Sequence, residues 1–167
     1  MQSNQGAMSS HNCEAIESVQ ISQISVFNQR SIKKQSACKQ KTNKMYKHSD
    51  TTQKIINCFY TVYNTLGFGF LEKVYENSLC SELKRVGLNV KPQYPISVFF
   101  KDELVGEYFA DILVDNSVII ELKACETLNQ SHENQLVNYL KATEIEVGLL
   151  LNFGKKPEIK RKIYTNR

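Results

Sequence analysis

The chain has 167 residues, 41% hydrophobic and 23% charged, with 7 Gly and 3 Pro. That composition accommodates one ordinary globular domain and excludes collagen-like, wholly disordered and multidomain architectures. The net charge of +4 averages three unlike zones: residues 1–47 hold seven Lys/Arg against two Glu, residues 155–167 hold six against one, and residues 48–154 carry fourteen Asp/Glu against eight Lys/Arg. A polyanion would therefore meet the basic ends first, while the acidic middle calls for cations. No apolar run reaches the roughly 18 residues of a membrane span, and residues 1–20 lack the basic-then-apolar order of a signal peptide. A cytoplasmic location is the default expectation. Cys13, Cys38, Cys58, Cys80 and Cys125 are odd in number and spread out, with no CxxC pair and no His at zinc-ligand spacing. They read as apolar fillers or tail thiols.

In chain order, residues 1–47 are rich in Ser, Gln, Asn and Lys and are expected to form a disordered tail, with at most a short element near Val19 to Phe27. Met45 stands just before patterned sequence begins, so a natural start there is one reading. Ser49 or Asp50 can cap a helix in which Ile55, Ile56, Phe59, Val62, Tyr63 and Leu66 recur at three-and-four spacing as far as Gly67. Residues 70–86 form a second helix closed by Gly87. Strands are predicted over 88–91, 95–101, 105–114 and 118–125, a helix over 130–142 and a nearly continuous apolar strand over 146–153. The order is ααβββαβ with a short extra strand: an α/β mixed sheet flanked by helices.

Three ionisable residues sit inside two of these strands. If Asp115-Asn116-Ser117 closes a three-residue loop, Ile112 pairs with Ile120 and Val114 with Val118. Ala110, Ile112, Val114, Val118, Ile120 and Leu122 then share an apolar face, and Asp111 lies opposite Glu121. Lys123 shares the Glu121 face and neutralises only one of the two carboxylates. A divalent cation with hard oxygen ligands and open water positions, Mg²⁺ or Mn²⁺, resolves the repulsion and suits phosphoryl chemistry. An ordinary strand ion pair with Asp111 exposed is the alternative. On a helical wheel Glu72 falls inside the stripe of Tyr75, Leu79, Leu83 and Val86, with Glu76 near its edge; a carboxylate there needs a partner. His132, Gln135 and Tyr139 line one stripe of the later helix, where Gln and Tyr could hold phosphates or Lys123. Lys155, Lys156, Lys160, Arg161 and Lys162 follow the last predicted strand and are candidates for nucleic-acid contact.

Gly69-Phe70-Leu71-Glu72-Lys73-Val74-Tyr75 resembles the defining motif of the GxxExxY protein family. Asp111, Glu121-Leu122-Lys123-Ala124, His132 with Gln135-Leu136, Tyr139-Leu140 and Gly148 through Phe153 resemble that family too, over about residues 50–165. The family is similar to the PD-(D/E)xK nuclease superfamily, whose restriction-endonuclease-like core is αβββαβ, here preceded by one extra helix. The resemblance implies a nuclease domain over residues 48–167, with Asp111, Glu121 and Glu72 as metal ligands and Lys123 as catalytic lysine. Gln135 and Tyr139 resemble the QxxxY element of RecB-like nucleases, and Ala110 stands where the superfamily has Pro. The implied activity is Mg²⁺- or Mn²⁺-dependent hydrolysis of nucleic acid, with DNA the leading substrate. The alternative is a catalytically silent nucleic-acid-binding or regulatory protein on the same fold. The oligomeric state stays open, a homodimer included.

Overall fold

The computed structural model describes residues 47–165. The expected tail, except Lys47, lies outside the described residues, as do Met45 and the element near Val19 to Phe27. Among the described residues no helix is long and apolar enough to cross a membrane.

Helix α1 (Ser49–Leu66) buries Thr52, Ile55, Cys58, Phe59 and Val62, the apolar recurrence expected of an amphipathic helix. Neither Ser49 nor Asp50 caps it. His48 takes the N-cap in left-handed backbone (φ 54°), and Asp50 lies in the first turn, where its charge suits the helix dipole. The chain then reverses through Gly67 (φ 71°) and Gly69 (φ 107°), conformations that side-chain-bearing residues rarely adopt. Tyr75 of helix α2 (Glu72–Arg85) pins this turn. Its hydroxyl donates to the Gly67 carbonyl at 2.9 Å and accepts the Phe70 N–H at 3.2 Å, and its ring stacks on Phe153 with centroids 4.2 Å apart. Gly87, at φ 83°, ends α2 as the sequence predicts.

Strands β1 (Val90–Phe100), β2 (Glu103–Val114), β3 (Val118–Lys123), β4 (Val147–Asn152) and β5 (Glu158–Ile163) form one sheet in that spatial order. β3 and β4 are parallel, joined by helix α3 (Gln130–Lys141), and the other neighbours are antiparallel. Two expectations are corrected here. The separate strands predicted over 88–91 and 95–101 are one strand, because β1 is a sheet edge and tolerates Pro92 and Pro95 there. The strand over 146–153 is not the last one: the basic segment after β4 contains strand β5.

The central part of the sheet is covered on both faces, whereas the far end of the β1–β2 hairpin leaves Phe99, Phe100, Tyr108 and Phe109 exposed. Residues of α1 and α2 pack with Ile112, Val114, Val118, Ile120, Leu122, Leu149 and Leu151 on one face, while α3 packs with Leu113, Ile119 and Leu150 on the other. The β2–β3 register is the predicted one, with Ile112 opposite Ile120 and Val114 opposite Val118. Ala110 departs from prediction: it packs with Ile96 and Leu113 on the α3 side. The paired ladder runs no further than Ile112, so strict alternation with β3 ends just before Asp111.

Candidate active site

Where β2 leaves the ladder, its backbone is replaced as acceptor by a side chain: Asp111 Oδ2 accepts the Leu122 N–H at 2.7 Å. Glu121, 2% exposed, and half-buried Lys123 point to the α3 side of β3, and Lys123 Nζ donates to Glu121 Oε1 at 2.6 Å. The second Glu121 oxygen, Oε2, is buried without a hydrogen-bond partner. Burial, and then the Asp111 charge, push the Glu121 carboxyl up to about 7 against the opposing bond from Lys123. Asp111 is raised for the same first reason, burial, with the Leu122 N–H and Lys123 acting against it. For Lys123 burial acts downward, but the bond to Glu121 and the neighbouring carboxylates outweigh it and raise its pKa, keeping the amine protonated.

The acids of α2 exchange the places expected of them. Glu76 is 4% exposed, held by Lys73 Nζ at 2.6 Å and by Gln93 Nε2 at 2.9 Å. Glu72 is exposed, although it lies on the same wheel stripe as Leu79. It occupies the first turn of α2, which overhangs the end of β3, so its Oε1 accepts the Ala124 N–H at 3.3 Å rather than entering the core. Glu72 nevertheless faces the cluster: its charge raises both Glu121 and Asp111.

From α3, Gln135 Nε2 donates to the Tyr139 hydroxyl at 2.8 Å. That hydroxyl is raised by burial against the Gln135 bond, with the charges of Glu121 and Asp111 adding to the rise. His132 is used differently. It is N3 of a capping box, its Nδ1 accepting the Asn129 N–H at 3.4 Å while Asn129 Oδ1 accepts the Ser131 and His132 N–H groups. The basic segment is divided by strand alternation. Lys160 and Lys162 lie opposite Leu150 and Gly148, on the α3 side, whereas Arg161 lies opposite Leu149 on the α1/α2 side. Lys162 is bonded to Glu133 of α3. Lys155 and Lys156 are exposed on the turn leaving the carboxyl end of β4, beside the end of β3 that bears Lys123.

Two residues escaped sequence reasoning. Gln93 adopts φ 48° at the β1 position that the register sets opposite Asp111, and it holds Glu76; Pro92 before it was the available sign of irregular strand. Asn152 is fully buried, donating to the Cys125 carbonyl at 2.9 Å and accepting the Cys125 N–H at 3.1 Å, so it ties the segment after β3 to the end of β4.

The cluster thus joins Asp111, Glu121 and Glu72 electrostatically to Lys123, whose amine is bonded to Glu121. Among the described residues no group of three or more His, Cys, Asp or Glu side chains is gathered so as to hold a metal ion by itself, so a cation here would rest on fewer protein ligands. Hard oxygen donors, an orphaned buried carboxylate oxygen and open positions fit a cation that keeps part of its water shell.

Residues 49–162 match the family model of the PD-(D/E)XK nuclease superfamily. No curated protein matches the chain. Among solved structures, the crystal structure of SSO0001 is similar, with a TM-score of 0.45 and 18% identity over 75% of this chain; the match spans 64% of that protein, less than two thirds of its length. The family match runs from the first residue of α1 nearly to the end of β5 and includes the β2–β3 hairpin with its acid pair. The mixed five-stranded sheet between helices is the restriction-endonuclease-like arrangement, and the chain belongs to the PD-(D/E)XK nuclease superfamily.

Proposed function

We propose that the protein is a Mg²⁺-dependent nuclease, also served by Mn²⁺, that hydrolyses phosphodiester bonds of DNA, with residues 48–167 as the catalytic unit. The observation that carries this reading is the buried Glu121 Oε2, unpartnered beside a second raised carboxylate, Asp111. Asp111 and Glu121 would hold the cation, with Glu72 reaching it from the solvent side. Such a cation supplies Lewis-acid polarisation of the phosphate and a lowered pKa for bound water.

Lys123 is protonated and oriented by Glu121, so its Nζ–H groups serve best as donors to the phosphate oxygens, where charge accumulates in the transition state. Gln135 and Tyr139 position the substrate from the α3 side, Asn129 and His132 fix the start of the helix that carries them, and exposed Lys155, Lys156 and Lys160 meet flanking phosphates. The motif Gly69 to Tyr75 supports placement within the GxxExxY family, since each named position has work in this fold. Gly69 makes the left-handed turn, Glu72 reaches β3 and Tyr75 secures the turn.

Calorimetric titration of the full chain with Mg²⁺ and Mn²⁺ tests the site. Binding is expected in the wild type and lost in the Asp111→Asn, Glu121→Gln double variant; equal binding by both proteins would refute the assignment. Parallel incubation with DNA and RNA decides the substrate, with DNA degraded preferentially on this reading.

A further inference from the structure

Beside the acid cluster, the β1–β2 hairpin and α3 enclose an open groove of about 800 Å³. Its lining is unlike the acidic site. Tyr108 and Phe99, 52% and 62% exposed, present aromatic rings, and Asn134, Gln135 and Asn138 present neutral amides. Tyr139 belongs to both places: its ring lies 6.1 Å from that of Tyr108, and its hydroxyl is bonded to Gln135 beside the carboxylates. Gly106 lets the Tyr108 ring lie close over the β2 backbone, for a Cβ there would stand 3.3 Å from Tyr108 Cε2. A register shift at Val98/Phe99 breaks the β1–β2 alternation beside the same groove, a device that re-aims side chains near sites.

Exposed flat rings interleaved with amides match one feature of nucleic acid, the unpaired base, which offers a face for stacking and an edge for hydrogen bonding. A duplex keeps those faces inside its stack and presents phosphates, for which this lining offers a single cation, Lys141. We infer that the groove between the β1–β2 hairpin and α3 binds unpaired bases of the substrate strand through Tyr108, Phe99 and the α3 amides. The strand would then be cut single-stranded or with a splayed end. This rests on the nuclease reading of the adjoining acids and names the substrate form that reading leaves open.

The test is fluorescence anisotropy of the full chain with three labelled DNA probes of equal length: single-stranded, duplex, and single-stranded with contiguous abasic sites. EDTA keeps the probes intact. The single strand should bind most tightly, and the abasic strand should lose about tenfold or more, the scale of one or two base–aromatic stacks. Tyr108→Ala should reproduce that loss on the normal strand without altering abasic binding, and Tyr108→Phe, which keeps the ring, should restore affinity. Equal affinity for normal and abasic strands, duplex preference, no binding, or an unaltered Tyr108→Ala variant would each overturn the inference. So would sedimentation in which Tyr108→Ala converts a dimer to a monomer while strand affinity is unchanged, since the groove would then seat a second copy. Cleavage with Mg²⁺ or Mn²⁺ is read separately. Base-dependent binding without any cleavage would remove the nuclease reading and leave the groove, whereas Lys123-dependent cleavage with base-independent binding would do the reverse.

Discussion

Glu121 concentrates the chemistry of the site in one side chain: one oxygen is bonded to Lys123 and the other is buried without a partner. Its ordinary pKa of 4.5 rises to about 7 in the fold. The folded state therefore holds the proton more tightly than the unfolded chain does. The resulting stabilisation is complete below 4.5 and is lost as pH rises towards about 7. In EDTA the melting temperature should fall across that window, measured by scanning fluorimetry, and Glu121→Gln should flatten the fall. Mg²⁺ should raise the wild-type value most at the alkaline end, where the carboxylate is charged. A metal-free melting temperature that climbs through the window, or one indifferent to Glu121→Gln, would contradict the environment described for this carboxyl. The Ile112–Ile120 register that brings Asp111 near Glu121 was legible from loop length and the apolar face, but the last step was not: alternation ends before Asp111, whose side chain bonds the Leu122 N–H instead. Glu76 was not legible, because a wheel records angle around a helix but not where the sheet beneath it ends. Gln93 was invisible for a related reason: its role consists of contact with a helix distant in sequence.

The elements position the site through close approaches. Helix α3 lies so near β4 that a Cβ at Gly148 would stand 2.7 Å from Leu136 Cδ1, and Leu136 adjoins Gln135 in the chain. Gly148→Val should displace α3, costing about 1–3 kcal/mol in urea denaturation and lowering cleavage by carrying Gln135 and Tyr139 off the acids. Full activity and full stability in that variant would show that α3 has no fixed seat on β4. At this scale the three predicted helices and the β2, β3 and β4 strands were readable from periodicity, with ends off by a few residues. Strand β5 was not, because Glu158-Ile159-Lys160-Arg161-Lys162-Ile163 is dominated by charge. Only its pairing with β4 and the packing of Ile159 mark it as sheet. β1 was split for the opposite reason: its prolines signal a break that an edge strand does not require.

For the molecule as a whole, the net charge of +4 conceals an acidic unit that ends in a basic strand and turn. That division predicts nucleic-acid binding that weakens with salt. The combined Lys155→Ala, Lys156→Ala variant should lower the slope of log affinity against log salt by about 1.5, as expected for two lost phosphate contacts. An unchanged slope would place the backbone elsewhere on the surface. The central claim, that Asp111, Glu121 and Lys123 form a metal-dependent phosphodiesterase centre, is tested most directly by single-turnover cleavage of single-stranded and duplex DNA. The comparison is the full chain against Lys123→Ala, in Mg²⁺, Mn²⁺ and EDTA. The account predicts cleavage only with metal and a loss of about 100-fold or more in the variant. Cleavage that persists in EDTA, cleavage untouched by Lys123→Ala, or none from the wild type with either metal would contradict it.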